Sequence, residues 1–225
     1  MPVNVEYSEN KQKTRQWLAN HAQSNLNKSK FVKVLTFPSV QGIAGLYKRK
    51  NASFEGILRA KYSNIEFVGL ECHKPTLDLI KDERMPVSFN LLGITDYKLF
   101  SKAKKYGVCD ENGIDIAWLD YFGGTSRKNL NALRVAFKNQ VFNNGAILGV
   151  TLCLTERTRK QKTRKLLAKY SQDGTVENGH FNCIKKCALK FGYIIDLIEY
   201  KQYKNSDVSI HARTMTTICY KLTKV

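Results

Sequence analysis

Acidic residues are scarce in this sequence: 19 Asp+Glu stand against 37 Lys+Arg in 225 residues, a formal net charge of +18. That imbalance attracts polyanions before any specific contact forms, which puts nucleic acid first among partner classes. No apolar run approaches the ~20 residues a helix needs to cross a bilayer, so a membrane-spanning helix is excluded. No Pro/Gly/Ser-rich linker divides the chain, and 43% hydrophobic content suffices for one substantial core. One domain over 1–225 is expected, with 1–30 as an N-terminal helical extension. No stretch reads as a signal peptide. The six cysteines (Cys72, Cys109, Cys153, Cys183, Cys187, Cys219) lie far apart, several in apolar runs, as reduced thiols of an intracellular protein would, whether cytoplasmic, nucleoid or nuclear. His180, Cys183 and Cys187 are spaced somewhat like metal ligands, but no Cys-x-x-Cys pair accompanies them and no metal site is expected. Asn51-Ala52-Ser53 matches the glycosylation acceptor pattern and is better read as a helix cap.

What is present is an alternation of strand-like and helix-like segments. Trp17, Leu18 and Ala22 fall at helical spacing in Lys11 to Gln23. Phe31 to Phe37 (FVKVLTF) reads as a buried strand stopped by Pro38, and a helix follows Asn51 or Ser53. Ile65 to Leu70 is a second strand, followed by a short helix over Pro75 to Lys81 with proline in its first turn. Pro86 to Leu92 is a weaker strand, and Asp96 to Tyr106 a helix with cations at its C-terminal end. Ile114 to Leu119 (IDIAWL) is the fourth strand, after which Thr125 or Ser126 caps a helix carrying Leu130, Leu133, Phe137 and Val141. Asn143-Asn144-Gly145 reads as its break. Ala146 to Leu154 (AILGVTLCL), apolar throughout, belongs in the middle of a sheet covered on both sides. A basic helix around Glu156 to Tyr170 and another from about Asn182 to Phe191 precede Tyr193 to Tyr200 and Thr214 to Leu222. These last two strands have no helix between them and so pair antiparallel.

Three strand ends carry the chemistry. The first opens on Pro38-Ser39-Val40-Gln41-Gly42-Ile43-Ala44-Gly45, the second ends in Glu71, and the fourth ends in Asp120-Tyr121-Phe122-Gly123-Gly124. In a doubly wound sheet such ends form one crevice that takes a nucleotide-like ligand. Order and motifs together resemble the class I S-adenosylmethionine-dependent methyltransferases. The resemblance implies an α/β fold: a seven-stranded Rossmann-like sheet, parallel except for a reversed C-terminal strand, with helices on both faces. It implies S-adenosylmethionine as cofactor, with Pro38, Ser39, Gly42 and Gly45 passing under its methionine part and Glu71 accepting the ribose hydroxyls. Its adenine contact falls at Asn90 or Asp96. It also implies a catalytic segment Asp120, Tyr121 and Phe122 in which the acid orients an exocyclic amine and an aromatic ring stacks on an extruded base. Two departures accompany the match. Thr36-Phe37-Pro38-Ser39 has no acid before its widely spaced glycines, and Gly123 stands where the stacking ring is usual.

Positive charge concentrates around the same strand ends. Lys48, Arg49 and Lys50 follow the first strand, and Arg157, Arg159, Lys160, Lys162, Arg164 and Lys165 follow the fifth, as a phosphate backbone held beside the reaction centre would require. Lys102, Lys104 and Lys105 precede the fourth strand and are expected at the opposite edge, merely solvated. Two function classes follow: an enzyme methylating a base amino group of DNA or RNA, or a methyltransferase-fold protein without activity that binds nucleic acid or a protein partner. A partner protein supplying specificity fits either. Ribose 2′-O methylation ranks lower, since the strand from Ala146 offers no lysine to join Asp120 and Glu199.

Overall fold

The computed structural model describes residues 9–26, 31–38, 53–82, 88–121, 126–153, 168–173, 175–204 and 214–225. Its elements are α1 (Glu9–Asn25), β1 (Val32–Thr36), α2 (Phe54–Lys61), β2 (Ile65–Leu70), α3 (Lys74–Asp82), β3 (Phe89–Leu92) and α4 (Asp96–Ser101), then β4 (Ile114–Asp120), α5 (Arg127–Lys138), β5 (Phe142–Cys153), α6 (Val176–Leu189), β6 (Tyr193–Lys204) and β7 (Thr214–Lys224). The seven strands form one sheet in the order β3-β2-β1-β4-β5-β7-β6. Pairing is parallel from β3 through β5, while β7 runs antiparallel to both its neighbours, β5 and β6. The expected fold class and the reversed final strand are therefore what the chain adopts.

The strands are apolar on both faces because both faces are covered. Alternate residues of β1 divide between two cores: Val34 packs with Leu18 and Ala22 of α1, Phe54 and Leu58 of α2, and Ile116 and Trp118 of β4. Leu35 joins Leu99 and Phe100 of α4, Ala132, Leu133 and Phe137 of α5, and Ile184 and Ala188 of α6. Of the two residues expected to cap α2, Ser53 does so, its Oγ accepting the Gly56 N–H at 3.0 Å. Ser126 does the same for α5, accepting the Asn129 N–H at 3.1 Å.

Several boundaries differ from the sequence reading. β3 begins only at Phe89, and α4 stops at Ser101, after which the chain turns through Gly107 at φ +62°. Asn143-Asn144-Gly145 does not break a helix. α5 has already ended, with Gln140 at φ 52°, and the three residues lie inside β5, where the pairing with β4 shifts register and Gly145 sits at φ +79°. The left-handed backbone at this position is one that glycine adopts freely. The bulge also lets Asn143 Nδ2 donate to Asp115 Oδ1 at 2.8 Å, while Lys33 N–H donates to Asp115 Oδ2 at 2.9 Å. Those bonds pin β1, β4 and β5 together at the sheet's amino edge. Of the expected basic helix over 156–170, only 168–170 fall in the described residues, and they are helical.

Candidate active site at the carboxyl edge

Register places the strand ends side by side. Thr36 pairs with Gly69 of β2 and with Trp118 of β4, so Pro38, Glu71 and Asp120, each two residues further on, share one level at the carboxyl edge. β1 separates the other two strands, and adjacent strands lie about 4.8 Å apart, so Glu71 and Asp120 flank a space about two strands wide. Glu71 is half-buried, and its orientation is fixed twice. Its backbone N–H donates to Leu92 O at 3.2 Å, which ties β2 to the end of β3, and its Oε1 accepts the His73 N–H at 2.7 Å. Pro38 is buried over β2: a Cβ on Gly69 would lie 3.0 Å from Pro38 Cγ and 2.6 Å from a Phe89 ring carbon. Glycine at 69 is what allows that approach.

Asp120 lies on the α1 face of the sheet, on the same side of β4 as Ile116 and Trp118. Beneath it the structure assembles polar groups that sequence reasoning missed. Thr36 Oγ1 donates to Glu55 Oε1 at 2.7 Å, and both residues are buried. Burial pushes the Glu55 carboxyl above its ordinary value, the Thr36 hydrogen bond and the Arg15 charge pull it back, and the Asp120 charge pushes it further up. Arg15 is itself buried, its guanidinium carbon 5.8 Å from the Trp118 ring centroid. Trp118 Nε1–H donates to Thr151 Oγ1 at 2.9 Å, and Thr151 and Thr217 hydroxyls are bonded at 2.8 Å. Tyr203 of β6 completes the group: burial first, then the Asp120 charge, raise its phenol. One signal was available in the sequence. Arg15 shares the helical stripe of Leu18, Ala19 and Ala22, a place where an exposed arginine would not sit.

Tyr121 requires a correction. Its ring is only 7% exposed, packs edge-on against Phe37 at 5.8 Å, and its hydroxyl donates to Asp96 Oδ2 at 2.7 Å. Burial and the Asp96 carboxylate raise the phenol well above its usual range. The ring expected as a stacking platform is thus part of the wall, because a buried carboxylate 25 residues away claims its hydroxyl. The same contact bears on the adenine position. Asp96 is buried and accepts from both Tyr121 and the Tyr97 N–H, whereas Asn90 is exposed in β3, opposite Val68 and two residues short of the strand's end. Ser39, Gly42, Gly45, Phe122, Lys48, Arg49, Lys50, Arg157, Arg159, Lys160, Lys162, Arg164 and Lys165 lie outside the described residues.

Elsewhere, the six cysteines are unpaired by disulfide. Burial lowers His180 to about 4 and raises Cys183 to about 11, and among the described residues no three metal-ligating side chains converge. No helix among the described residues is long and apolar enough to cross a membrane.

No protein-family model and no curated protein matches the sequence. Solved structures do match in shape. TYW2 from P. horikoshii, in complex with MeSAdo, superposes with a TM-score of 0.56 at 12% identity over 99% of this chain. This chain spans 66% of that protein's length, just under two thirds. A protein described as an RNA methyltransferase from Pyrococcus horikoshii gives 0.54 at 13% identity, covering 98% of this chain and 88% of its own. An arsenic(III) S-adenosylmethionine methyltransferase from Chlamydomonas reinhardtii gives 0.50 at 13%, covering 92% of this chain and 74% of its own. At these identities the likeness is one of fold, and the fold is that of the class I methyltransferases.

Proposed function

We propose that this chain is an S-adenosylmethionine-dependent methyltransferase acting on nucleic acid, with an exocyclic base amine as acceptor. The observation that carries the reading is the convergence of Glu71 and Asp120 on either side of β1 at the carboxyl edge. The cofactor supplies an electrophilic methyl group. Glu71 suits its ribose: one carboxylate oxygen is held by His73 N–H, which orients the group to accept hydroxyl protons. The turn from Pro38 through Ser39, Gly42 and Gly45 would cradle the methionine part, and Asn90 would approach the adenine. Similar folds crystallised with MeSAdo or AdoMet are consistent with that assignment.

In this reading Asp120 accepts the amine hydrogens, aims the nitrogen lone pair, and takes up the proton that the amine sheds on alkylation. Positioning of this kind supplies much of the rate in transfers between bound groups. Buried Arg15 and Glu55 lie beneath Asp120, and the charges of Arg15 and Asp120 both act on the Glu55 carboxyl. With Tyr121 in the wall, Phe122 is the aromatic left to stack on an extruded base, worth about 1–3 kcal/mol. The net charge of +18 and the basic segments 48–50 and 157–165 suit a phosphate backbone.

Calorimetric titration with S-adenosylmethionine tests the cofactor assignment. Wild type should give saturable heat, and Glu71→Ala should bind at least about tenfold more weakly, the ~1.4 kcal/mol or more expected for a charge-assisted hydrogen bond. Asp120→Ala should bind the cofactor normally yet transfer no labelled methyl group to RNA or DNA. Absence of heat from wild type at millimolar ligand would instead establish the second reading, a methyltransferase fold that binds without catalysing. Pro38, buried against Gly69 where the first turn begins without an acid, favours that alternative.

A further inference from the structure

On the face away from α1, α5 and α6 enclose a groove of about 490 Å3 whose walls carry Arg127 and Arg134 on one side, Lys186 and Lys190 on the other, with Tyr170 and Cys187 between. All four cations belong to exposed residues, and among the described residues no carboxylate lines the groove. α5 has four basic residues and no acidic one, and the side-chain ion pairs found among the described residues lie elsewhere. Like charges left together repel one another and raise the energy of the folded chain, so a set to which the described residues bring no counter-charge suits an anionic ligand.

The groove is built rather than incidental. Tyr170 is fastened to α6 by its carbonyl, which accepts Asn182 Nδ2–H at 2.9 Å, and Lys186 Nζ sits 5.4 Å from its ring centroid. The charges of Arg134 and Lys190, from opposite walls, both act on the Cys187 thiol, so the two walls converge on one floor. Arg127 and Arg134 are two turns apart on α5, about 10.5 Å along one stripe, and Lys186 and Lys190 one turn apart, about 6 Å. We propose that this groove binds the sugar-phosphate backbone of a nucleic acid and leads it to the carboxyl edge. The inference rests on the nucleic-acid reading above and assigns it a surface made of residues outside both basic segments, 48–50 and 157–165.

Position and chemistry select this occupant. Arg127 is the first residue of α5, and only residues 122–126 separate it from Tyr121. Tyr170 follows the Arg157–Lys165 run in sequence. Guanidinium groups grip phosphate oxygens bidentately, and an aromatic ring offers a base a stacking face. A second basic hollow of about 510 Å3, holding Lys102, Lys104, Lys105 and Lys138, lies toward the amino edge at the far end of α5 and, among the described residues, has neither arginine nor aromatic in its lining. The groove is concave, which admits a strand and not the plane of an anionic membrane.

The test is fluorescence anisotropy with the full chain, a labelled RNA stem-loop and a DNA hairpin of the same sequence, across a sodium chloride series. Arg127→Ala/Arg134→Ala/Lys186→Ala should lower the slope of log K against log salt by about 2–3, one counterion-release increment of about 0.7–0.9 per lost phosphate contact. Affinity near physiological salt should fall at least about tenfold. Lys102→Ala/Lys104→Ala/Lys105→Ala removes the same charge and should change the slope by less than about 1. Circular dichroism checks the fold of both variants, and S-adenosylmethionine titration should be unaltered in each. Equal losses in the two triple variants would overturn the groove assignment while leaving the nucleic-acid reading in place. So would a groove variant that loses binding to phosphatidylglycerol vesicles but retains RNA and DNA. Wild type that binds neither nucleic acid would remove the reading itself.

Discussion

Glu55 shows how far a residue's chemistry is set by its surroundings. Alone, a glutamate in the first turn of a helix is an ordinary favourable charge near the helix dipole. Here it is buried, bonded to Thr36, and faces both Arg15 and Asp120. Burial raises its folded pKa, so its protonated form is favoured by folding. The associated stability is present at low pH and lost as pH rises through the raised value. Glu55→Gln keeps an acceptor for Thr36 and removes the titration. The stability of this variant relative to wild type, from urea unfolding at several pH values, should therefore increase from pH 5 to pH 8. A difference that stays flat over that range would mean that Thr36 and Arg15 offset burial and the carboxyl is not raised. Glu71 and Asp120 were legible in the sequence because each acid ends an apolar run, a pattern visible locally. Glu55 and Tyr203 were not, and the apolar stripe that marks Arg15 as buried did not say what it meets, because the three come together only when α1 and α2 pack onto the sheet that contains β6. Tyr121 was misread for the same reason: nothing in Asp120-Tyr121-Phe122 says that Asp96 waits for the hydroxyl.

Among the elements, α1 is held by contacts far away in sequence. Its mean hydropathy is low, and its docking stripe is short. Trp17 Nε1–H donates to Glu199 Oε2 at 2.7 Å, and His21 Nε2 approaches the same oxygen at 2.9 Å, joining α1 to β6 across 182 and 178 residues. These bonds, Trp17 first, hold the Glu199 carboxyl below its ordinary value. Their contribution is thus present above the unfolded carboxylate range and fades as pH falls through the lowered one. Since the pair is largely exposed, less than about 1 kcal/mol is expected. Glu199→Gln should reduce hydrogen-exchange protection of α1 amides by about two- to fivefold at neutral pH, with the difference vanishing near pH 3. Equal protection at neutral pH would show that Leu18, Ala19 and Ala22 hold α1 unaided. The strands were readable because period-2 or continuous apolar runs are local. Register was not, so the bulge at Gly145 was taken for a helix break.

For the whole molecule, the excess of 37 basic over 19 acidic residues dominates. Repulsion among unneutralised cations, including those facing one another across α5 and α6, opposes folding and weakens as salt screens it. The melting temperature should rise by several degrees between about 10 mM and about 150 mM sodium chloride, where the Debye length shortens from about 30 Å to about 8 Å. A flat or falling melting temperature in calorimetry would show that the surface charges are already neutralised in pairs. The sequence by itself determined the element order, the reversed last strand, the two carboxylates at strand ends and the sign of the field, since periodicity, turn residues and charge are properties of short segments or of simple counts. Only the tertiary structure decided that Tyr121 turns inward, that Arg15 and Glu55 lie beneath Asp120, and that four cations from two helices share one groove. Those facts depend on side chains brought within a few ångströms by packing, and distance in space is what a linear pattern does not encode.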